Sequence, residues 1–236
     1  MELTILFGYF SAIFVGLVLG LTGSGGSILT VPIMVYLLQV DPILATAYSL
    51  FVVGFTSMVG TVSYMKQGLV SYRTAFVFAL PSFLSVFLTR KFIMPSLPQT
   101  ILTIGNFQLD KNVFVMLFFA VLMVLASYSM IKGSKKIHHN EEEPSYLAII
   151  FQGIFVGLIT GFVGAGGGFI IIPALVIMGK LDMKIAVGTS LFIITINSLF
   201  GFLGDLGQQS IDWVFLGYFS ILAAFGIILG SYLTRF

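Results

Sequence analysis

The chain has no cysteine and very little charge: of its 236 residues, 8% are Asp, Glu, Lys or Arg. Without cysteine there is no disulfide, no thiolate nucleophile and no Cys-ligated zinc or iron–sulfur centre. A soluble domain carries roughly 25% charged residues, so this chain cannot present an ordinary aqueous exterior. Soluble enzymes, nucleic-acid binders and disulfide-stapled secreted domains are excluded together. The net charge of +2 is too small to attract a polyanion, and no nucleic-acid partner is expected. In place of charge stand 58% hydrophobic residues and a mean hydropathy of +1.10. Membrane lipid must therefore solvate most of the surface, and the expected fold is all-α, a polytopic membrane protein of several spanning helices.

Apolar runs between charges and helix breakers fall at residues 3–21, 27–40, 43–65, 73–92, 112–131, 146–163, 168–179, 184–204 and 212–234. Most approach the roughly 20 residues that cross ~30 Å of hydrocarbon. Runs 27–40 and 168–179 are short. The first run is expected to belong to the mature protein, because Met1-Glu2-Leu3 lacks the basic start of a signal peptide and no Ala-x-Ala pattern follows.

Sliding the chain on itself by 141 residues aligns Phe14-Val15-Gly16-Leu17 with Phe155-Val156-Gly157-Leu158. The same shift matches Gly20, Gly23, Gly25, Gly26 and Pro32 with Gly161, Gly164, Gly166, Gly167 and Pro173, then Asp41 with Asp182 and Ser49-Leu50-Phe51 with Ser190-Leu191-Phe192. After a short insertion, Leu88-Thr89-Arg90 matches Leu233-Thr234-Arg235. The chain reads as a duplicated unit. Residues 1–131 form the first repeat, 132–145 a cytoplasmic linker, and 146–236 a second repeat lacking the last helix. If both glycine-rich junctions reverse the chain, Lys66, Arg73, Lys132, Lys135, Lys136, Lys180, Lys184 and Arg235 share one side, against Arg90, Lys91 and Lys111 on the other. The positive-inside rule then puts the N-terminus outside and the linker in the cytoplasm. Five reversals separate the two halves, so they are expected to face opposite ways. Inverted repeats are the common architecture of secondary transporters.

The junctions themselves are Gly20-Leu21-Thr22-Gly23-Ser24-Gly25-Gly26-Ser27 and Gly161-Phe162-Val163-Gly164-Ala165-Gly166-Gly167-Gly168. Neither carries the lysine of a phosphate-binding loop or the spacing of a dinucleotide fingerprint. Run 27–40 rises only about 21 Å as a helix, so the turn is expected inside the membrane, where irregular backbone must be buried in protein or line a wet cavity. Two readings stand side by side. The glycines permit tight helix packing and hairpin closure, or the amides that open the following helices, with the helix dipole, coordinate an anion. On the second reading, two helix starts supply about one positive charge without burying a lysine or arginine. The closing carbonyls of the preceding helices carry the opposite sign.

Ser49, Thr56 and Ser57, with Thr189, Ser190, Thr195, Asn197 and Ser198, are the polar groups inside long apolar runs. Buried hydroxyls commonly bond a carbonyl of their own helix. Ser49 and Ser190 occupy equivalent positions from which an oxyanion at the turns is within reach. Asn197 is the most polar residue deep in a run, and it needs an interhelical partner or a wet cavity. Asp41 and Asp182 read as helix caps, Asp205 and Gln208 as a solvated helix end with a gate as the alternative, and Trp213 as an interfacial aromatic. His138-His139 with Glu141–Glu143 reads as solvated linker. No catalytic residue, metal site or cofactor is expected.

The paired Gly-x-x-Gly-x-Gly-Gly turns, each followed by Pro32 or Pro173, and Ala-x-x-x-Ser-Leu-Phe at 45–51 and 186–192 resemble the TauE/SafE sulfite exporter family of membrane permeases. The resemblance spans almost the whole chain. It implies a multi-pass transporter of the prokaryotic cytoplasmic membrane, carrying sulfite, a sulfonate or a related small anion. Combining it with the residue chemistry, the substrate is expected at Thr22, Gly23, Ser24, Gly25, Gly26, Ser27 and Ser49, and at Gly164, Ala165, Gly166, Gly167, Gly168, Thr189, Ser190 and Asn197. Its partners are that small anion and membrane lipid. An anion channel, or a carrier of another small ion, is the alternative.

Overall fold

Backbone polar groups surrounded by lipid must be satisfied within the protein, and the apolar runs accordingly fold as helices. The computed structural model describes residues 2–23, 26–104, 107–132, 146–177 and 179–233. The elements are α1 (Glu2–Thr22), α2 (Gly26–Pro32) continuing into a π turn (Ile33–Leu37), α3 (Pro42–Lys66), and α4 (Tyr72–Leu88). A second π turn (Thr89–Ile93) leads from α4 into the short α5 (Met94–Ser96). After the strands β1 (Thr100–Ile104) and β2 (Phe107–Asp110) come α6 (Lys111–Lys132), α7 (Tyr146–Val163), α8 (Gly168–Ile177), α9 (Met183–Asp205) and α10 (Trp213–Leu233). Apart from that two-stranded antiparallel hairpin, the described chain is all-α. Among the described residues four helices, Pro42–Lys66, Tyr72–Ser96, Met183–Asp205 and Trp213–Leu233, are long and apolar enough to cross a membrane.

Helix ends follow local chemistry. Pro42 opens α3 where its missing N–H is not needed, and Asp41 caps the helix by accepting from the Ile43 amide at 3.0 Å. Asp182 stands at the same position before α9, yet its side chain accepts no capping hydrogen bond, so the expected cap is one of position only. Asp212, absent from the sequence expectation, does cap α10, accepting from the Val214 and Phe215 amides at 3.1 and 3.0 Å.

The duplication is visible in the backbone. Leu38 donates to the Ile33 carbonyl and Val40 to Met34, and 141 residues on Gly179 donates to Ala174 and Leu181 to Leu175. Gln39 and Lys180, the equivalent residues between them, both take positive φ, 56° and 50°. The helix pairings also survive exchange of the halves. α1 packs on α10 as α7 packs on α4, α10 packs on α3 as α4 packs on α9, and α3 meets α9 at the centre. Close approach needs small residues: Gly16 and Gly226 face backbone carbonyls across the α1–α10 contact, and Gly157 faces the Ser82 carbonyl across α7–α4.

The two central helices bury most of their length, Ala45 to Leu50 and Thr189 to Leu191 included. The outer helices expose large apolar side chains, among them Phe10 of α1, Val124 of α6, Phe151 of α7 and Ile221 of α10. Such a belt on one molecule marks a surface that water does not solvate.

Candidate functional site

The first glycine turn begins where Gly23, at φ 71°, closes α1 by donating to the Leu19 carbonyl at 2.8 Å. The side chain of Val187 fills the space a Cβ on Gly23 would need. Thr22 is exposed and donates its hydroxyl to the Val18 carbonyl at 2.8 Å. Ser24 and Gly25 lie outside the described residues, and α2 starts at Gly26 and Ser27.

The second turn is described throughout. Gly164 closes α7 through the Thr160 carbonyl at 2.8 Å, and Gly164, Gly166 and Gly167 all adopt positive φ, 73°, 68° and 72°. Left-handed backbone of this kind is strained for any residue with a Cβ. Every residue from Gly164 to Gly168 is buried. A Cβ on Gly164 would lie 2.5 Å from Thr46. Thr46 is equivalent to Val187 under the 141-residue shift, so each turn docks on the early part of the long helix of the opposite half.

The two docking places differ in polarity. Val187 meets the first turn with methyl groups, whereas the second turn meets Thr46 and the guanidinium of Arg90, whose Nη2 would be 2.7 Å from a Gly164 Cβ. Arg90 is fully buried. Its Nη1 donates to Thr46 Oγ1 at 3.0 Å and to Asp205 Oδ2 at 3.2 Å, while Nε and Nη2 have no partner. Three further hydroxyls around the turn are buried without a partner. Thr160 Oγ1 abuts Gly167, Ser198 Oγ would be 2.8 Å from a Gly166 Cβ, and Ser49 is the third. On α3, Ser49 lies between Thr46 and Val53, both of which meet the turn. Residues three, four and seven apart share a helix face, so Ser49 belongs to the face that meets it.

Two sequence expectations are corrected here. Arg90 is not a flanking charge. The helical path runs on past it through the π turn and α5 to Ser96, so Arg90 stays inside the bundle against α9. Asp205 is not a solvated helix end, since at 4% exposure it pairs with Arg90. The second turn therefore has a full guanidinium charge beside it. The premise that the turns manage without a buried cation does not hold there.

Of the other expected residues, Thr189 and Ser190 are engaged by backbone groups, Thr189 across to the start of α4 and Ser190 within its own helix. The Thr189 hydroxyl accepts from the Ser71 amide at 3.0 Å, and Ser190 donates to the Val187 carbonyl at 2.8 Å. Asn197 has the interhelical partner it needs: its Nδ2 donates to Ser82 Oγ of α4 at 2.7 Å, leaving Oδ1 unpartnered. His138, His139 and Arg235 lie outside the described residues, and among the described residues no cluster of acids and histidines holds metal-ligand geometry.

At the α3–α10 contact a cavity of about 240 Å³ is lined by Val59, Gly60, Ser63, Ile227, Ser231 and Tyr232. The 141-residue shift carries Gly60 and Ser63 to Gly201 and Gly204, and Gly204 is the residue against which Arg90 packs. The cavity therefore lies at the place equivalent to the Gly204–Arg90 contact.

Comparison with known proteins agrees with this architecture. The family model described as sulfite exporter TauE/SafE matches residues 9–236. A probable membrane transporter protein of Xylella fastidiosa (strain 9a5c) is 30% identical over 94% of this chain and 82% of its own length. One of Bacillus subtilis (strain 168) is 27% identical over 93% and 86%, and one of Methanocaldococcus jannaschii is 27% identical over 89% and 77%. No solved structure matches the chain to a significant degree. The duplicated glycine turns, the apolar helices that carry them and the match over nearly the whole length place the chain in the TauE/SafE sulfite exporter family, as a membrane transporter.

Proposed function

We propose that this transporter moves a small sulfur-containing anion, sulfite or an organosulfonate, across the cytoplasmic membrane of a prokaryotic cell by alternating access. The observation that carries the reading is the crosswise docking of the two glycine turns, Gly23 on Val187 and Gly164 on Thr46. A carrier needs two states of similar energy that open to opposite sides. Two halves that make the same contacts on each other supply such a pair when they are inverted in the membrane. The charge distribution supports the inversion. With Arg90 buried, Lys91 and Lys111 remain on one side against eight positive residues on the other. The N-terminus is then outside and the linker 132–145 cytoplasmic.

The substrate class is supported by the family, and by the buried donors gathered at the second turn. In this reading Gly164, Ala165, Gly166, Gly167 and Gly168 with Ser49 cradle the anion in one state. Thr22, Gly23, Ser24, Gly25, Gly26 and Ser27 border the path on the other half. Thr189, Ser190 and Asn197 exchange their present partners for substrate as the central helices shift.

The test is counterflow in proteoliposomes, using radiolabelled sulfite against sulfate, thiosulfate and a short sulfonate. Saturable uptake accelerated by the same anion on the far side is expected. Flux without such trans-acceleration identifies a channel, and absence of flux with every anion refutes the proposal.

A further inference from the structure

We propose that Arg90 is an oxyanion-binding residue, holding one sulfite or sulfonate group against the second glycine turn through the free edge of its guanidinium. The inference deepens the transport reading and rests on it for the sulfur in the ligand. The oxyanion site itself follows from the local geometry.

A guanidinium offers five N–H donors in a fixed plane. Both hydrogens of Nη1 are engaged here, one by Thr46 Oγ1 at 3.0 Å and one by Asp205 Oδ2 at 3.2 Å. These two contacts come from α3 and α9 and fix the plane. The remaining donors, Nε and the Nη2 group, lie along one edge of that plane, and both atoms are buried without a partner. An edge of two parallel N–H donors matches two oxygens of one oxyanion, the bidentate geometry in which arginine outperforms lysine.

The edge adjoins the turn. A side chain on Gly164 would stand 2.7 Å from Nη2, so glycine is what lets the backbone of the turn come up against that edge of the guanidinium. Ser198 Oγ, unpartnered beside Gly166, and Ser49 Oγ, on the α3 face that meets the turn, add hydroxyl donors of the kind an oxyanion accepts from. Asp205 completes the logic. A lone buried arginine would hold an anion too tightly to release it. With the carboxylate at Nη1 the empty site is formally neutral, and the bound anion is attracted by hydrogen bonds more than by net charge.

The experiment is titration of the full chain in detergent with sulfite, sulfate, methanesulfonate and acetate, by calorimetry and by anion-dependent thermal shift. Arg90→Lys keeps the charge and loses the planar edge. It is expected to weaken binding at least tenfold with elution profile and helical content unchanged. Ser198→Ala, which leaves the ion pair intact, is expected to weaken binding three- to tenfold. Asp205→Asn is expected to tighten it and to slow counterflow, an effect a purely structural ion pair would not produce. The joint Arg90→Met, Asp205→Leu variant removes both buried charges and keeps the test available should Arg90→Lys fold poorly; it is expected to bind no oxyanion. A folded Arg90→Lys or joint variant with wild-type affinity overturns the proposal, as does a wild-type protein that binds none of the four anions. Sulfite binding indifferent to Arg90 sinks this inference and leaves the transport reading standing. Arg90-dependent binding of acetate alone keeps the oxyanion site at Arg90 and refutes the sulfur-containing substrate of the transport reading.

Discussion

Arg90 and Asp205, 115 positions apart in the chain, meet at 3.2 Å with side chains 0% and 6% exposed. Removing one member of a buried pair strands the other's charge and typically costs about 3–5 kcal/mol, whereas replacing both with apolar residues is often neutral. Asp205→Ala is therefore expected to lower stability by about that amount, and Arg90→Met with Asp205→Leu to recover most of it. A double-variant cycle of unfolding in detergent measures the coupling, and strictly additive losses would show that the pair is not coupled.

Gly164 and Gly207 both have positive φ, 73° and 85°, but only Gly164 is crowded. Gly207→Ala meets nothing within 4 Å and should lose only the left-handed penalty, roughly 1–2 kcal/mol. Gly164→Ala adds overpacking against Thr46 and Arg90, a further ~1–3 kcal/mol. Equal midpoint shifts for the two variants in thermal unfolding would mean the turn is looser than its contacts imply.

Within α10 the glycines separate by environment. Gly226 faces the Ile13 carbonyl of α1, and Gly217 meets nothing within 4 Å. Gly226→Leu is expected to force α1 away from α10 and abolish the monodisperse detergent-solubilised species. Gly217→Ala should be neutral or gain up to about 1 kcal/mol from helix propensity. Size-exclusion profiles after expression compare the two directly.

The Asn197–Ser82 hydrogen bond ties α9 to α4 at 2.7 Å. Ser82→Ala leaves a buried amide without its acceptor, and a loss of about 1–2 kcal/mol is expected, in the range of interhelical hydrogen bonds between membrane helices. The joint Ser82→Ala, Asn197→Leu variant should be closer to wild type than Ser82→Ala alone. Unfolding midpoints that fall further in the joint variant would argue against it.

The absence of cysteine makes sidedness measurable without background. Gln67, after α3, and Gln99, before β1, are both exposed. With the N-terminus outside, Gln67→Cys should react with an impermeant maleimide only from the cytoplasm and Gln99→Cys only from outside. The reverse labelling would invert the proposed orientation.

Much of the helical layout is legible in the sequence because a run such as 43–65 is bounded by residues that act locally: Asp41-Pro42 starts α3, and Lys66 to Gly68 stops it. The repeat is legible because glycine and proline are constrained by backbone geometry at the same places in both halves. The β1–β2 hairpin is not among the expected elements, although Gly105-Asn106 between two strand-prone runs is a recognised hairpin signal. Arg90 escapes for a deeper reason. Arg90-Lys91 at the end of an apolar run looks like a membrane boundary, and only its meeting with Asp205, a tertiary contact between different halves, shows the arginine to be interior. Ser49 is legible as a polar residue in an apolar helix, but its lack of a partner depends on which helices surround it.

That α1 packs chiefly on α10, and α4 on α7, bears on how the molecule is made. As the ribosome delivers the chain, the first helix enters the bilayer long before the last one exists, with its glycine-lined face waiting bare for the whole of translation. Neither half is a finished object, so fragments covering 1–132 and 146–236 should each be short-lived when synthesised separately, and should persist when produced in the same cell.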